Sequence, residues 1–309
     1  MAANSPKATG LPTKLRDICN PVFDSRVWDD FEFRDDDIII ASWAKAGTTW
    51  VQQIVGQLIF NGEEDIPLSE ISPWYECVLV PHERVRQRVR AQTHRRFLKT
   101  HLPLDAFRFF PNAKFIYCAR DGRDAVWSLH NHHFNFAPIL YAQINSNAQT
   151  GANQRFERAT ADVVAYFREW LARDGYPFWP FWEHVRGWWA VREWPNVMLI
   201  HFSELKRDMP EQIRRIARFL EIPIHDDRWP IILAHCTFEY METHAQRVAP
   251  FGGAIWNGGA KTFMYKGTNG RWRDHLTIDD VCAYEERARA ELGEECARWL
   301  ATGNPLVSR

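Results

Sequence analysis

The chain has 309 residues, 46% of them hydrophobic and 25% charged, and a formal net charge of −1. This balance supplies apolar material for a large globular core and excludes a disordered or collagen-like chain. It provides no overall basic field for nucleic acid, so any anion site has to be local.

Residues 1–10 are polar and lack the apolar core of a signal peptide, which predicts a flexible N-terminus ahead of one domain over residues 11–309. No run approaches the roughly 20 apolar residues of a membrane span. Both readings point to a cytoplasmic protein without a membrane partner. The cysteines Cys19, Cys77, Cys118, Cys236, Cys282 and Cys296 are scattered, with no C-x-x-C pair, and read as reduced thiols.

Four short apolar runs have the length and β-branching of buried parallel strands. They are DIIIASW (37–43), RFLKT (96–100), KFIYCA (114–119) and VMLIHF (197–202). Helical spacing follows or separates them at 49–60, 124–134, 182–193 and 209–220. The alternation predicts an α/β fold, a single domain with a central, mainly parallel sheet flanked by helices. In such sheets ligands sit beyond the carboxyl ends of the strands. Three of the four predicted strand ends carry chemistry there: Lys45, Lys99 with His101, and Arg120.

The first strand runs into W-A-K-A-G-T-T-W (43–50), a P-loop-like turn in which lysine precedes glycine. Gly47 lets an anion approach the backbone, and Thr48 and Thr49 open a helix whose first N–H groups lack internal partners. These features suit a phosphate or sulfate, with Lys45 adding a compact charge and Trp50 a flat face for a purine. A capped helix beside an incidental lysine is the plainer reading. In F-L-K-T-H-L-P (97–103), His101 is a candidate base that Lys99 would keep neutral, or else a hydrogen-bonded turn histidine. In C-A-R-D-G-R-D-A-V-W-S (118–128), Arg120 and Ser128 can reach one phosphate across the bend, and Asp124 reads as the helix cap. Gly267 and Gly270 bracket a polar loop beside Lys266, either an anion-binding lid or a solvated turn. Neighbouring histidines in H-N-H-H (130–133) face different sides of a helix and have no acidic partner at ligand spacing, so no metal site is expected.

Taken together, these segments resemble the cytosolic sulfotransferase family, which uses 3′-phosphoadenosine 5′-phosphosulfate (PAPS) as sulfuryl donor. The resemblance spans about residues 30–285 and keeps the family's motif order. W-A-K-A-G-T-T-W is similar to Y-P-K-S-G-T-T-W, and L-K-T-H-L-P matches the segment of the catalytic histidine. R-D-G-R-D-A-V-W-S is similar to R-N-x-K-D-x-x-x-S, and W-P-F-W-E-H-V-R-G-W-W (179–189) to W-F-x-H-V-x-G-W-W. F-S-E-L-K (202–206) stands for Y-E-D-L-K, and M-Y-K-G-T-N-G-R-W (264–272) for M-R-K-G-x-x-G-D-W.

The resemblance implies transfer of a sulfuryl group from PAPS to a hydroxyl or amine of a small, aromatic or apolar acceptor. The products would be a sulfate ester and 3′,5′-ADP (PAP), and no metal would be required. His101 would be the base, with Lys45 and Lys99 stabilising transition-state charge. Lys45, Ala46, Gly47, Thr48 and Thr49 would hold the phosphosulfate. Arg120, Ser128, Tyr265, Lys266 and Gly267 would lie at the 3′-phosphate. Trp50, Phe202, Cys236 and Phe238 would surround the adenine. Trp74, Tyr75, Phe134 and Phe136 are candidates for the acceptor pocket, or else core residues. The family's short dimer segment corresponds here to Arg273, Thr277, Ile278 and Cys282, which implies a homodimer without the charge at its last position.

The departures are Ala44 and Ala46 for Pro and Ser, Phe202 for Tyr, Tyr265 for the lid arginine and Arg271 for aspartate. Two rival readings are a P-loop nucleotide kinase or hydrolase, and a PAPS- or PAP-binding protein without catalysis. The first needs glycine ahead of the lysine and a magnesium-binding carboxylate. The second sits poorly with Lys45, Lys99 and His101 all present.

Overall fold

A computed structural model describes residues 12–148 and 155–304, so the expected flexible segment 1–10 lies outside the described residues. The four apolar runs form β1 (Ile38–Ala41), β2 (Phe97–Thr100), β3 (Lys114–Ala119) and β4 (Val197–His201). All pair in parallel in the order β2-β1-β3-β4. Ile40 stands opposite both Lys99 and Ile116. Chain order runs outward from β1 to β2, then crosses back to β3 and on to β4. The strand order therefore reverses between β1 and β3, where the loops leaving the two strands part and open a crevice.

Each strand is buried on both faces, and the pleat divides its side chains between two cores. Ile39, Leu98, Phe115 and Tyr117 join an aromatic core with Trp28, Trp43, Trp170, Trp182 and Trp188. Ile38, Ile40, Ile116 and Ile200 join an aliphatic one with Val51, Ile54 and Val55. Those five tryptophans are each no more than 1% exposed, so much of the aromatic excess is core. Each fully buried isoleucine or phenylalanine of the strands contributes about 1.5–3 kcal/mol by burial.

The helices around the sheet include α1 (Thr48–Ile59), α2 (Gly122–Phe134), α3 (Pro138–Ala148), α4 (Trp182–Ala190), α5 (Met209–Leu220), α6 (Phe238–Thr243) and α7 (Ile278–Thr302). Helix α2 is capped by Asp121, whose carboxylate accepts from the Arg123 N–H, and not by the expected Asp124. Thr277 caps α7 in a capping box with Asp280, leaving Ile278 82% exposed. Among the described residues no helix is long and apolar enough to cross a membrane.

Candidate active site

The crevice deepens into a cavity of about 400 Å³ beyond the carboxyl ends of β1, β2 and β3. Lys45, Lys99, His101, Arg120 and Ser128 all line it, although they come from three strand ends and one helix.

The turn after β1 is held open by backbone shape. Gly47 has φ +109°, and a Cβ there would stand 2.8 Å from the Phe202 ring and 3.3 Å from Cys118 Sγ. No side chain caps the first turn of α1, and Thr48 Oγ1 is hydrogen-bonded to Ser42 Oγ. Lys45 itself takes φ +63°, a left-handed conformation that costs a non-glycine residue about 1 kcal/mol. Its ammonium lies 4.2 Å from the Phe263 ring centroid and 3.4 Å from His132 Nδ1. Ala46 is buried behind the turn, with its carbonyl accepting from Cys118 Sγ at 3.0 Å. It contributes shape and not a cavity-lining side chain.

His101 follows β2. Its Nδ1 lies 2.6 Å from the Ser42 carbonyl oxygen, which can only accept. Nδ1 therefore carries the proton and Nε2 keeps a lone pair. The ring is flanked by Trp74 and Trp179, at centroid distances of 4.9 and 5.5 Å. Burial, then the charge of Lys99, hold its pKa well below the usual histidine range.

The strand end is fixed from below by Glu76, which sequence reasoning missed. This fully buried carboxylate accepts from His101 N at 2.7 Å, Thr100 Oγ1 at 2.9 Å, Trp74 Nε1 at 2.6 Å and Trp28 Nε1 at 3.0 Å. Nothing local marks such a residue. Its partners are the neighbouring Trp74, Thr100 and His101 at the end of β2, and Trp28 from the N-terminal aromatic cluster.

Arg120, after β3, reaches across to the segment 263–272. Its Nη2 donates to the Thr268 carbonyl at 2.8 Å and its Nε to Asn269 Oδ1 at 3.0 Å. Asp124 accepts from the Gly270 N–H at 2.6 Å, so the lid is tied both to the end of β3 and to the first turn of α2. Gly267 has φ +58°, and a Cβ there would stand 2.7 Å from the Phe238 ring. Arg271 lies against Tyr265, with Nη2 donating to its hydroxyl at 2.9 Å and the guanidinium 4.6 Å from the ring centroid. Tyr265, Lys266, Gly267 and Arg271 all line the cavity.

The electrostatics are one-sided. The described lining residues include the cations Lys45, Lys99, Arg120, Lys206, Lys266 and Arg271 against one carboxylate, Asp124. Burial, with Lys99 and Arg120 nearby, pushes Lys45 down to about 7. Burial takes Lys99 to about 8, and Arg120 to about 10 with Arg271 adding to the effect. Cations driven toward neutrality by burial and by one another are the signature of a site shaped for an anion.

Three expected positions require correction. Tyr75 is 2% exposed and packs on Trp28 and Phe31 in the aromatic core, outside the cavity. The segment around Trp74 pairs alongside β2, and consecutive residues of an extended chain face opposite sides, so only Trp74 lines the site. Phe134 ends α2 on its outer face, 47% exposed and stacked on His130, whereas Phe136 lines the cavity. Cys236 is fully buried in the aliphatic core and offers only its carbonyl, to Trp50 Nε1 at 2.8 Å; Thr237 and Phe238 line the cavity instead. Trp50 and Phe202 line it too, their rings 5.4 Å apart and edge-on.

The sulfotransferase-domain profile matches residues 35–295. A glycolipid sulfotransferase of Mycobacterium tuberculosis is 29% identical, aligned over 91% of this chain and 92% of its own length. A 3-alpha-hydroxysteroid sulfotransferase of Cavia porcellus is 25% identical over 93% of each. In fold, the chain is similar to a mouse sulfotransferase solved in complex with PAP (TM-score 0.68, 20% identity, 89% and 91% of the two chains covered). It is likewise similar to retinol dehydratase solved with androsterone and PAP (TM-score 0.67, 21% identity, 87% and 84% covered). With the domain profile spanning most of its length and sulfotransferases aligned along nearly all of it, the chain belongs to the sulfotransferase family and is a sulfotransferase.

Proposed function

We propose that the protein transfers the sulfuryl group of PAPS to a hydroxyl of a small, aromatic or apolar acceptor, with His101 as the base. The observation that carries this reading is the His101 tautomer: Nδ1–H is committed to the Ser42 carbonyl, and Nε2 is left as a proton acceptor in a cavity shared with two lysines. PAPS supplies an activated sulfuryl group. The residues fit such a donor: two glycines keep the loop and lid open where a Cβ would collide, and buried cations outnumber carboxylates.

His101 Nε2 takes the proton of the attacking hydroxyl. Burial and the neighbouring lysines keep the imidazole neutral, so it needs no deprotonation before it acts at physiological pH. Lys45 and Lys99 put positive charge where the departing phosphate oxygen gains negative charge, in a site whose burial strengthens that interaction. The α1 N-terminus and Thr48 and Thr49 hold the 5′ end of the donor. Arg120, Ser128, Lys266 and Gly267 hold the 3′-phosphate. Arg271 supplies there the charge that Tyr265 lacks, since it stands on that tyrosine within the same cavity and lowers the Arg120 pKa. Trp50, Phe202 and Phe238 bracket the base. Trp74, Phe136, Trp179, Trp256 and Phe263 give the acceptor an aromatic enclosure. An amine acceptor meets the same base, and the cytoplasm remains the expected compartment.

The test is PAPS-dependent sulfation of a panel of phenols and apolar alcohols, by wild type and by His101→Ala. Turnover falls by about 10²–10⁴-fold in the variant while 3′,5′-ADP binding is retained. Equal turnover by the two proteins would remove His101 from the mechanism.

A further inference from the structure

His132 is the functional group of the cavity that sulfuryl transfer leaves unused. It lies one helical turn beyond Ser128 on α2, so both face the site, while its neighbours turn away. His130 Nε2 is bonded to the Thr160 carbonyl at 2.8 Å and His133 Nε2 to the Glu157 carbonyl at 2.9 Å. The His132 ring enters the apolar arm of the cavity, 4.9 Å from Phe136, 4.8 Å from Trp256 and 6.0 Å from Phe263. Leu140 and Ile144 complete that wall.

The contact with Lys45 fixes the tautomer. With the donor's anion bound Lys45 is charged, and an ammonium has three donors and no lone pair, so at 3.4 Å it donates to His132 Nδ1. The imidazole, held neutral by burial and by Lys45, then carries its hydrogen on Nε2, which has no hydrogen-bond partner among the described residues. Once an apolar acceptor displaces water from this wall the N–H loses its solvent partner, which is costly, and an oxygen carried by the acceptor recovers that cost.

We propose that His132 is a specificity-determining residue that reads a second oxygen on the acceptor. With Lys45 on Nδ1, its Nε2–H donates to an ether, carbonyl or hydroxyl oxygen carried by the acceptor's apolar body, while the reacting hydroxyl stands at His101. This rests on the acceptor-site reading above and narrows the substrate class to apolar molecules with two oxygen functions. A purely hydrocarbon analogue leaves the N–H unpaired and is discriminated against.

The test compares ether and methylene isosteres: 4-(methoxymethyl)phenol against 4-propylphenol, and 4-(2-methoxyethyl)phenol against 4-butylphenol. In wild type the kcat/KM ratio of ether to hydrocarbon exceeds that of His132→Phe by about tenfold, the effect of one hydrogen bond. His132→Gln, whose amide N–H falls near Nε2, keeps most of the preference. The same ratio in wild type and His132→Phe overturns the proposal, as does an equal loss for both members of each pair. Long-range ¹H–¹⁵N spectra of the 3′,5′-ADP complex show the Nε2–H tautomer for the resonance missing in His132→Gln; an Nδ1–H tautomer overturns it as well. If wild type sulfates none of these phenols, the reading of the acceptor as a small phenol fails separately. The same pairs titrated onto the 3′,5′-ADP complex then decide for His132: tighter ether binding supports it, equal binding refutes it.

Discussion

Binding of 3′,5′-ADP is expected to draw protons from solution, because the site keeps two lysines partly neutral until an anion arrives. In the free protein Lys45 titrates at about 7 and Lys99 at about 8, both lowered chiefly by burial. At pH 8 that leaves about 0.9 of Lys45 and about 0.5 of Lys99 unprotonated. A phosphate beside them favours the charged form and raises both pKa values. The sign follows: the complex binds more protons than the free protein, so affinity falls as pH rises through 7 to 9. Each lysine that is neutral in the free state and charged in the complex weakens binding about tenfold per pH unit. Other groups stay quiet at pH 8. His101 and His132 are held neutral, Asp124, at about 6, is ionised, and the phosphates are already fully charged. The assay is calorimetric titration at pH 8 in HEPES and in Tris, whose ionisation enthalpies differ. An uptake of about one proton or more is expected, falling by most of one proton in Lys45→Met. No net uptake, or one unchanged in Lys45→Met, would mean that these lysines do not meet the anion.

Two substitutions probe the frame around them. Arg271→Ala weakens 3′,5′-ADP by about ten- to a hundredfold, the range for a hydrogen bond to a charged group, and 5′-ADP far less; equal losses, read by titration, would remove Arg271 from the 3′-phosphate. Gly47→Ala forces a Cβ to 2.8 Å from the Phe202 ring at φ +109°. It costs about 2–4 kcal/mol of stability in urea unfolding, from left-handed strain plus overpacking, and a loss below about 1 kcal/mol would show that the turn yields easily.

The strands were legible because Ile38–Ala41 and Lys114–Ala119 are short, β-branched and apolar on both faces, a pattern that little else produces. Their ends were legible for the same reason, since Lys45 and Arg120 interrupt apolar runs. What failed depended on side-chain direction. Trp74 and Tyr75 are equivalent as letters, yet the pairing of their segment beside β2 sends one to the cavity and the other into the core. Phe134 and Phe136 divide similarly at the end of α2. His132 sits in H-N-H-H, where adjacent histidines suggest metal ligation and mask the one that faces the cavity. Its spacing of four from Ser128 was the available signal. Glu76 gave none, for a lone glutamate normally faces water, and only the assembled fold brings three of its four donors to it. The cap was misassigned to Asp124 because its real role, accepting from Gly270 N–H, crosses 146 residues of sequence.

Thermal unfolding with 3′,5′-ADP, set beside 5′-ADP and ATP with magnesium, tests the donor assignment most directly. At about 100 times its dissociation constant, 3′,5′-ADP should stabilise the protein by about 2.7 kcal/mol, with little effect from 5′-ADP at the same concentration. Stabilisation by ATP with magnesium alone, or by none of the three, would contradict a site built for a 3′-phosphorylated sulfuryl donor.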